Sequence, residues 1–108
     1  MSTFDRREKA FENKYAHDSE MQFKAEARRN KLLGLWAAEK MGLSGADAES
    51  YAREVVMSDF EEAGDEDVFR KVMGDLTAKG VKVPETAVRS QMRDLMVEAK
   101  AQIMQEIG

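Results

Sequence analysis

The sequence predicts an all-α protein, a four-helix bundle preceded by a flexible or marginally helical N-terminal segment. Apolar residues recur at the i, i+3, i+4, i+7 spacing of a helix face in successive windows of the chain. Glycines separate these windows at short intervals, and short loops favour antiparallel neighbours. The sequence has no sustained alternation of apolar and polar residues and no Asn-Gly or Asp-Gly hairpin turn, which argues against a sheet.

The N-terminal segment is poor in aliphatic residues, because the first Leu, Ile or Val of the chain is Leu32. The main apolar side chains of its first part are Phe4, Phe11 and Tyr15. Such a segment cannot bury enough surface to offset the entropy of ordering it, although its Glu, Lys, Arg and Ala content suits a helix. We therefore predict two parts: residues 1–19, disordered or inducibly helical, and residues 20–108, the bundle.

Capping residues delimit the first two helices. The first helix is continuous from about Phe23 through the Leu-rich stretch, and Gly42 suits a left-handed cap at its C-terminal end. Ser44, followed three residues later by Asp47, fits the N-terminal cap of the second helix. This helix is predicted to end at Ala63–Gly64.

The last two helices have similar signals. Asp65 is a suitable N-cap for the third helix, which Gly80 closes, and Pro84 suits the first position of the fourth helix. The apolar stripe of the fourth helix runs from Val88 to Ile103 and is the longest of all. The predicted core draws on apolar residues of every helix: Leu32, Leu35, Trp36, Tyr51, Val55, Val56, Phe60, Phe69, Val72, Leu76, Val88, Met92, Leu95, Met96 and Ile103.

Composition argues against several functional classes. The chain has 108 residues and a formal net charge of −4, which argues against a general binder of nucleic acid or of anionic membranes. It contains no Cys, so it forms no disulfide, thiolate zinc site or Cys nucleophile. The charged N-terminus lacks the apolar region of a signal peptide, and no apolar run is long enough to span a bilayer. We therefore expect a soluble cytoplasmic protein.

Nothing in the sequence indicates catalysis. His17 is the only His, and it lies beside Asp18 in a segment where no packing would hold a general base. The chain has no Gly-rich phosphate loop, no Ser elbow and no paired His/Glu zinc helix. Seven acids and no base lie between Glu54 and Asp67, but their spacing lacks the ligand pattern of a calcium loop, and acids in a first helical turn also stabilise the helix. We predict no enzyme, no cofactor and no metal site.

A cluster of bases lies further towards the N-terminus. Lys24, Arg28, Arg29 and Lys31 surround a single acid, Glu26, and residues 24, 28 and 31 share one helix face. This face suits a nucleotide or another anionic ligand, which makes a small helical binding module the alternative function. An acidic partner surface fits equally well, whereas nucleic acid would need a stacking platform that the sequence lacks. A solvated helix face, paired with the 54–67 acids inside the bundle, is the simplest alternative.

The aromatic residues of the N-terminal segment have a helical spacing. Phe4, Phe11 and Tyr15 stand at i, i+7 and i+11, so that in a helix they lie on one stripe between mixed charges. Such a stripe can occupy a groove of a partner, with the rings as anchors and with folding coupled to binding. A frayed tail with incidental aromatics is the alternative.

Three stretches of the chain resemble the zeta subunit family, which comprises small inhibitors of the F-type ATP synthase of alphaproteobacteria. They are FDRREKAFENKYAHD at 4–18, FKAEARRNKLLGLWAAE at 23–39 and EEAGDEDVFRKV at 61–72. The resemblance extends over essentially the whole chain. It implies a four-helix bundle with a mobile, inhibitory N-terminus.

The resemblance also implies a mechanism and partners. In the family, the N-terminal segment enters the interface between alpha and beta subunits of the catalytic head, becomes helical there and blocks rotation in the hydrolysis direction. The implied partners are the alpha, beta and gamma subunits, through which the cytoplasmic protein is peripheral to the inner membrane without inserting into it. The implied contact residues are Phe4, Asp5, Arg6, Arg7, Glu8, Ala10, Phe11, Glu12, Lys14 and Tyr15.

Overall fold

The computed structural model describes residues 19–59 and 65–107. These residues form four helices: α1 (Ser19–Lys40), α2 (Gly45–Ser58), α3 (Glu66–Ala78) and α4 (Glu85–Ile107). The predicted all-α class and its four helices are confirmed. Within the described ranges, no helix combines the length and the apolar character that crossing a membrane requires.

Helix α1 is central to the bundle. It packs most extensively against α2 and α4 and also contacts α3. Small residues allow this close packing: a Cβ atom on Gly34 would lie 2.6 Å from the Ala52 Cα atom of α2. Ala37 and Ala38, on the same part of α1, are fully buried. The α1–α2 interface is therefore held at a distance that only a glycine at position 34 permits.

The buried face of α1 differs from the predicted one. The prediction used Leu32, Leu35 and Trp36, but Leu33 is the fully buried leucine, while Leu32 and Trp36 are partly buried at the edge of the core. Leu35 is also only partly buried. The face with the smallest side chains approaches the neighbouring helices most closely, and the large Trp36 ring lies at the margin with the Lys40 ammonium 5.1 Å from its centroid.

The core has a main cluster and a smaller second cluster. The main cluster consists of buried residues from all four helices: Leu33, Ala37, Ala38, Tyr51, Val55, Val68, Phe69, Val72, Leu76, Val88, Met92 and Leu95. The second cluster, Ala25 with Ile103, joins α1 to α4. Of the other predicted core residues, Val56 and Met96 are partly buried, and Phe60 lies outside the described residues.

The glycine caps are confirmed. Gly42 has φ 79°, the Leu43 N–H donates to the Ala38 carbonyl at 2.9 Å, and the Gly42 N–H donates to the Glu39 carbonyl at 3.1 Å. This pair of hydrogen bonds is a Schellman motif. Gly80 ends α3 in the same way. These caps fix the directions in which the chain leaves α1 and α3.

The other predicted boundaries are shifted or lack a side-chain bond. Ser44 and Asp65 occupy N-cap positions, but neither side chain makes a capping hydrogen bond. Pro84 directly precedes α4 rather than starting it. Helix α2 ends at Ser58 instead of Ala63–Gly64, and the Ser58 hydroxyl donates to the Val55 carbonyl at 2.6 Å. Such a local bond competes with continued helix and favours an early end.

Candidate functional site

The predicted inhibitory residues lie outside the described part of the chain. Residues 1–18 contain all of them: Phe4, Asp5, Arg6, Arg7, Glu8, Ala10, Phe11, Glu12, Lys14 and Tyr15. His17 lies there as well. Their contact role and the division of the chain at residue 19 therefore stay predictions. The described residues that follow begin directly with α1 at Ser19.

Three of the four predicted bases line one groove. Lys24, Arg28 and Lys31 of α1 face a space of about 470 Å³, here called the α1 groove. Its other lining residues are Phe23, Ala27, Val56, Ile103 and Glu106. The i, i+4, i+7 spacing of the bases puts them on the same side of the helix. Helices α2 and α4 supply the apolar walls and one carboxylate.

Arg28 is held in place across the groove. Its two terminal nitrogens donate to Gln102 Oε1 at 2.8 Å and to Glu106 Oε1 at 2.6 Å. Both acceptors belong to α4, so this guanidinium connects the middle of α1 to the last turns of α4. An anion that binds Arg28 therefore has to compete with Glu106.

Lys24 and Lys31 are less constrained than Arg28. Lys24 forms an ion pair with Glu20 at 3.8 Å, one turn away on the exposed surface. Such exposed pairs contribute little to stability and are easily exchanged for another partner. Lys31 is exposed and makes no ion pair within the described residues. These two ammonium groups are available to an anionic ligand or surface.

Arg29 is separated from the α1 groove. Its side chain is 2% exposed, its Nε donates to Asn30 Oδ1 at 2.6 Å, and a terminal nitrogen donates to Asp65 Oδ1 at 2.8 Å. This is the pairing with the acidic stretch that the sequence left open as the simplest alternative. The adjacent bases 28 and 29 thus point to different parts of the bundle, as their 100° separation on a helix requires.

Arg29 lines a second cavity, of about 350 Å³, together with Asp65, Met92, Met96 and two arginines that were not among the predicted site residues. The two arginines are Arg89 and Arg93 of α4. The positions of Arg89 and Arg93, four apart on α4, were a signal for a shared face. Their approach to Arg29 depends on the packing of α4 against α1, which the sequence pattern does not specify.

Arg89 is already engaged in this cavity. It donates to both carboxylate oxygens of Glu66, at 3.0 and 3.3 Å, and its guanidinium stacks on the Phe69 ring at 3.9 Å. The hydrogen bonds and charge of Arg89 lower the pKa of Glu66, and the same pair raises the pKa of Arg89. This arrangement joins α3 to α4 and reduces the free positive charge of the cavity.

Acidic residues surround the buried Arg29 at the ends of α2 and α3. Burial is the main cause that raises the pKa of Glu26, and the charges of Asp59 and Asp65 raise it further. Burial likewise raises the pKa of Asp59, although the Asn30 amide and Arg29 act in the opposite direction. In residues 19–59 and 65–107, no three His, Cys, Asp or Glu side chains are grouped so that they could hold a metal ion.

Comparisons with known proteins identify a matching family and a similar solved structure. The sequence model of a family described as ATPase inhibitor subunit zeta matches residues 1–102. A protein of known solution NMR structure shares 63% sequence identity with the chain and superposes on it with a TM-score of 0.72. The match covers 80% of this chain and 98% of that one. The comparison with curated proteins found no match.

Proposed function

Because the chain belongs to the ATPase inhibitor subunit zeta family, we propose that it inhibits the F-type ATP synthase by inserting its N-terminal segment into the catalytic head. The segment, residues 1–19, enters an interface between alpha and beta subunits and becomes helical there. It blocks rotation in the direction of ATP hydrolysis, in contact with the gamma subunit. The protein is then cytoplasmic and attached to the inner membrane only through the synthase.

The extent of the family match carries this proposal. The match begins at residue 1 and therefore includes the aromatic stripe of Phe4, Phe11 and Tyr15, as well as the bundle. Over these positions a helix spans roughly 17 Å, at ~1.5 Å per residue, which suffices to reach into a subunit interface. An inhibitor that works in this way needs a segment that folds on its partner and a body too large to follow it. Helices α1 to α4 are that body.

ATP hydrolysis by the purified catalytic head tests the proposal. The full chain is compared with a chain starting at Ser19 and with the triple variant Phe4→Ala, Phe11→Ala and Tyr15→Ala. We expect both to lose inhibition, because the ring anchors are removed. The control variant Lys9→Ala with Asn13→Ala changes the opposite side of the same helix and should inhibit normally. Inhibition by the chain starting at Ser19 equal to that of the full chain refutes the role of the segment.

A second candidate function is the binding of a nucleotide or another small anion. The convergence of Lys24, Arg28 and Lys31 on the α1 groove supports it. Titration of the full chain with ADP, followed by backbone amide chemical shifts, should then move the signals near Arg28. The double variant Lys24→Gln with Lys31→Gln should weaken these shifts. Unchanged amide signals around Arg28 exclude this candidate.

A further inference from the structure

Ala101 of α4 is buried although it lies on the side of the helix that faces away from the core. Only 6% of its surface is exposed, yet at about 100° per residue it points roughly 160° away from both Ala99 and Ile103, which are buried in the bundle. Side chains about one turn away do not cover it, because Glu98 and Gln105 are exposed. The burial of Ala101 thus indicates that this side of α4 is a contact surface rather than a solvated one.

The other described helices do not supply this contact. Among them, α4 contacts α1 and α3. It meets α1 through its opposite side, where Ile103 packs with Ala25. Its contact with α3 includes the bond from Arg89 to Glu66, twelve residues and about 18 Å before Ala101. Helices α1 to α3 therefore leave this side of α4 to another occupant.

The surface around Ala101 is an apolar stripe. Val97, Ala101 and Met104 stand at i, i+4 and i+7, so they share one side of the helix, here called the α4 outer face. Val97 and Met104 are partly buried. A stripe of this spacing with a small residue at its centre lets another helix approach closely. The α4 outer face therefore suits an amphipathic helix.

The N-terminal segment is attached directly beside this face. Met21, in the first turn of α1, and Met104 both pack against the second core cluster. The chain therefore enters α1 next to the α4 outer face. Residues 1–18 would span roughly 27 Å as a helix, at ~1.5 Å per residue, whereas Val97 to Met104 span roughly 10 Å. The segment is long enough to cover the whole face.

The aromatic residues of the segment match the face in spacing. Phe11 and Tyr15 are four residues apart, as are Val97 and Ala101. Helices α1 and α4 run antiparallel, so a helix that folds back from Ser19 runs in the same direction as α4. Tyr15 then lies level with Ala101, and Phe11 lies level with Val97.

From these observations we propose that the α4 outer face is a resting site for residues 1–18, which dock there as a helix through Phe11 and Tyr15 when the ATPase is absent. This inference rests on the proposed function, since it names a regulatory state of the same segment. The two rings cannot lie on α4 and in a subunit interface at once. Docking on α4 therefore competes with inhibition and raises the concentration at which the protein inhibits.

Backbone NMR signals of the full chain test the docking. Ala101→Glu places a charge in the α4 outer face, and Gln105→Glu makes the same change in net charge at an exposed position one turn further along α4. We expect Ala101→Glu to reduce the helical Cα chemical shifts of residues 11–15 to less than half, while the signals of α1 to α3 show an intact fold. Gln105→Glu should leave residues 11–15 unchanged. Equal Cα shifts in Ala101→Glu and the unmodified chain overturn the inference.

Engineered cysteines identify the occupant. The chain has no Cys, so Phe11→Cys with Val97→Cys introduces a single pair. We expect mild oxidation to form a disulfide within one chain, since this bond needs two Cα atoms within ~7 Å. Phe11→Cys with Asp47→Cys, at an exposed position of α2, is the control and should stay reduced. A disulfide formed only between two chains would identify a second copy as the occupant and contradict the inference.

ATP hydrolysis by the purified catalytic head links the docking to inhibition. Ala101→Glu should reach half inhibition at a roughly threefold lower concentration than the unmodified chain, because its segment does not have to leave α4. Gln105→Glu should match the unmodified chain. If no version of the chain inhibits, the proposed function fails, while the NMR signals and the disulfide still decide the docking. If Ala101→Glu inhibits only at the same or a higher concentration, the resting-site inference is wrong.

Discussion

The Arg29 guanidinium donates to Asp65 Oδ1 at 2.8 Å, and this contact joins the middle of α1 to the start of α3. The two partners differ in environment, because the Arg29 side chain is 2% exposed and that of Asp65 is 56% exposed. Water can solvate the carboxylate if the pair breaks, but it cannot reach the guanidinium to the same degree. The buried cation therefore depends on the pair more than the acid does.

Asp65→Ala should destabilise the bundle for this reason. We expect the free energy of unfolding to fall by roughly 2 kcal/mol, since Arg29 stays buried without its carboxylate. Adding Arg29→Met should recover most of the loss, because the unpaired charge is then replaced by an apolar side chain of similar length. Urea denaturation measures both changes. A double variant that is no more stable than Asp65→Ala contradicts this explanation.

The acids around Arg29 should make stability depend on pH. Burial is the main cause that raises the pKa of Asp59 above 3.8 and that of Glu26 above 4.5. The folded state thus binds protons more tightly than the unfolded state does. Both groups stabilise the fold below these ordinary values, and this contribution is lost as the pH rises through the raised values.

Asp59→Asn tests this pH dependence directly. The variant cannot ionise, so we expect a higher unfolding temperature than that of the unmodified chain at pH 7 and little difference below pH ~3. Asp94→Asn, at an exposed site on α4, serves as the control and should change the unfolding temperature little at either pH. A lower unfolding temperature for Asp59→Asn at pH 7 would show that Asp59 is stabilising as a carboxylate.

Two glycine substitutions should have opposite effects. Gly34→Ala brings a Cβ atom to 2.6 Å from the Ala52 Cα atom, so α1 and α2 have to move apart. We expect a loss of roughly 1–3 kcal/mol in the free energy of unfolding. Gly74→Ala on α3 meets no atom within 4 Å and should stabilise the helix by roughly 0.5–1 kcal/mol. Thermal unfolding of the two variants measures both effects. A stabilising Gly34→Ala would exclude the close approach of α1 to α2 at this position.

The Tyr51 hydroxyl should contribute measurably to stability. It donates to Asp75 Oδ2 at 2.8 Å, and the same carboxylate oxygen accepts a hydrogen bond from Lys71 at 3.1 Å. Burial, followed by the bond to Asp75, raises the pKa of Tyr51 well above its ordinary value. Tyr51→Phe should lower the free energy of unfolding by about 1 kcal/mol. In an Asp75→Ala background the same substitution should have a smaller effect.

The helices could be predicted from the sequence more readily than their mutual packing. Gly42 and Gly80 end α1 and α3 as predicted, because a left-handed cap is a local property of a few residues. The buried face of α1 was assigned to Leu32 and Trp36 instead of Leu33. Leucines point in several directions around this helix, and the small residues that permit close approach are not conspicuous in a hydrophobic pattern.

The α1 groove and the cavity beside Arg29 could likewise be predicted only in part from the sequence. The common face of Lys24, Arg28 and Lys31 follows from spacing within one helix, and the structure brings these three bases together. The opposite wall, with Ile103 and Glu106, depends on which helices are neighbours. This is a property of the whole chain that no local spacing contains.

Arg28 belongs both to the wall of the α1 groove and to the bond with Glu106 near the end of α4. An anionic occupant of the groove would compete with Glu106 for this guanidinium. The contact that holds the last turn of α4 would then be lost. Deuterium uptake at the amides of residues 104–107 should therefore rise when the groove is filled. Amide exchange in the last turn of α4 would thus report whether the α1 groove is occupied, without a chemical modification of the chain.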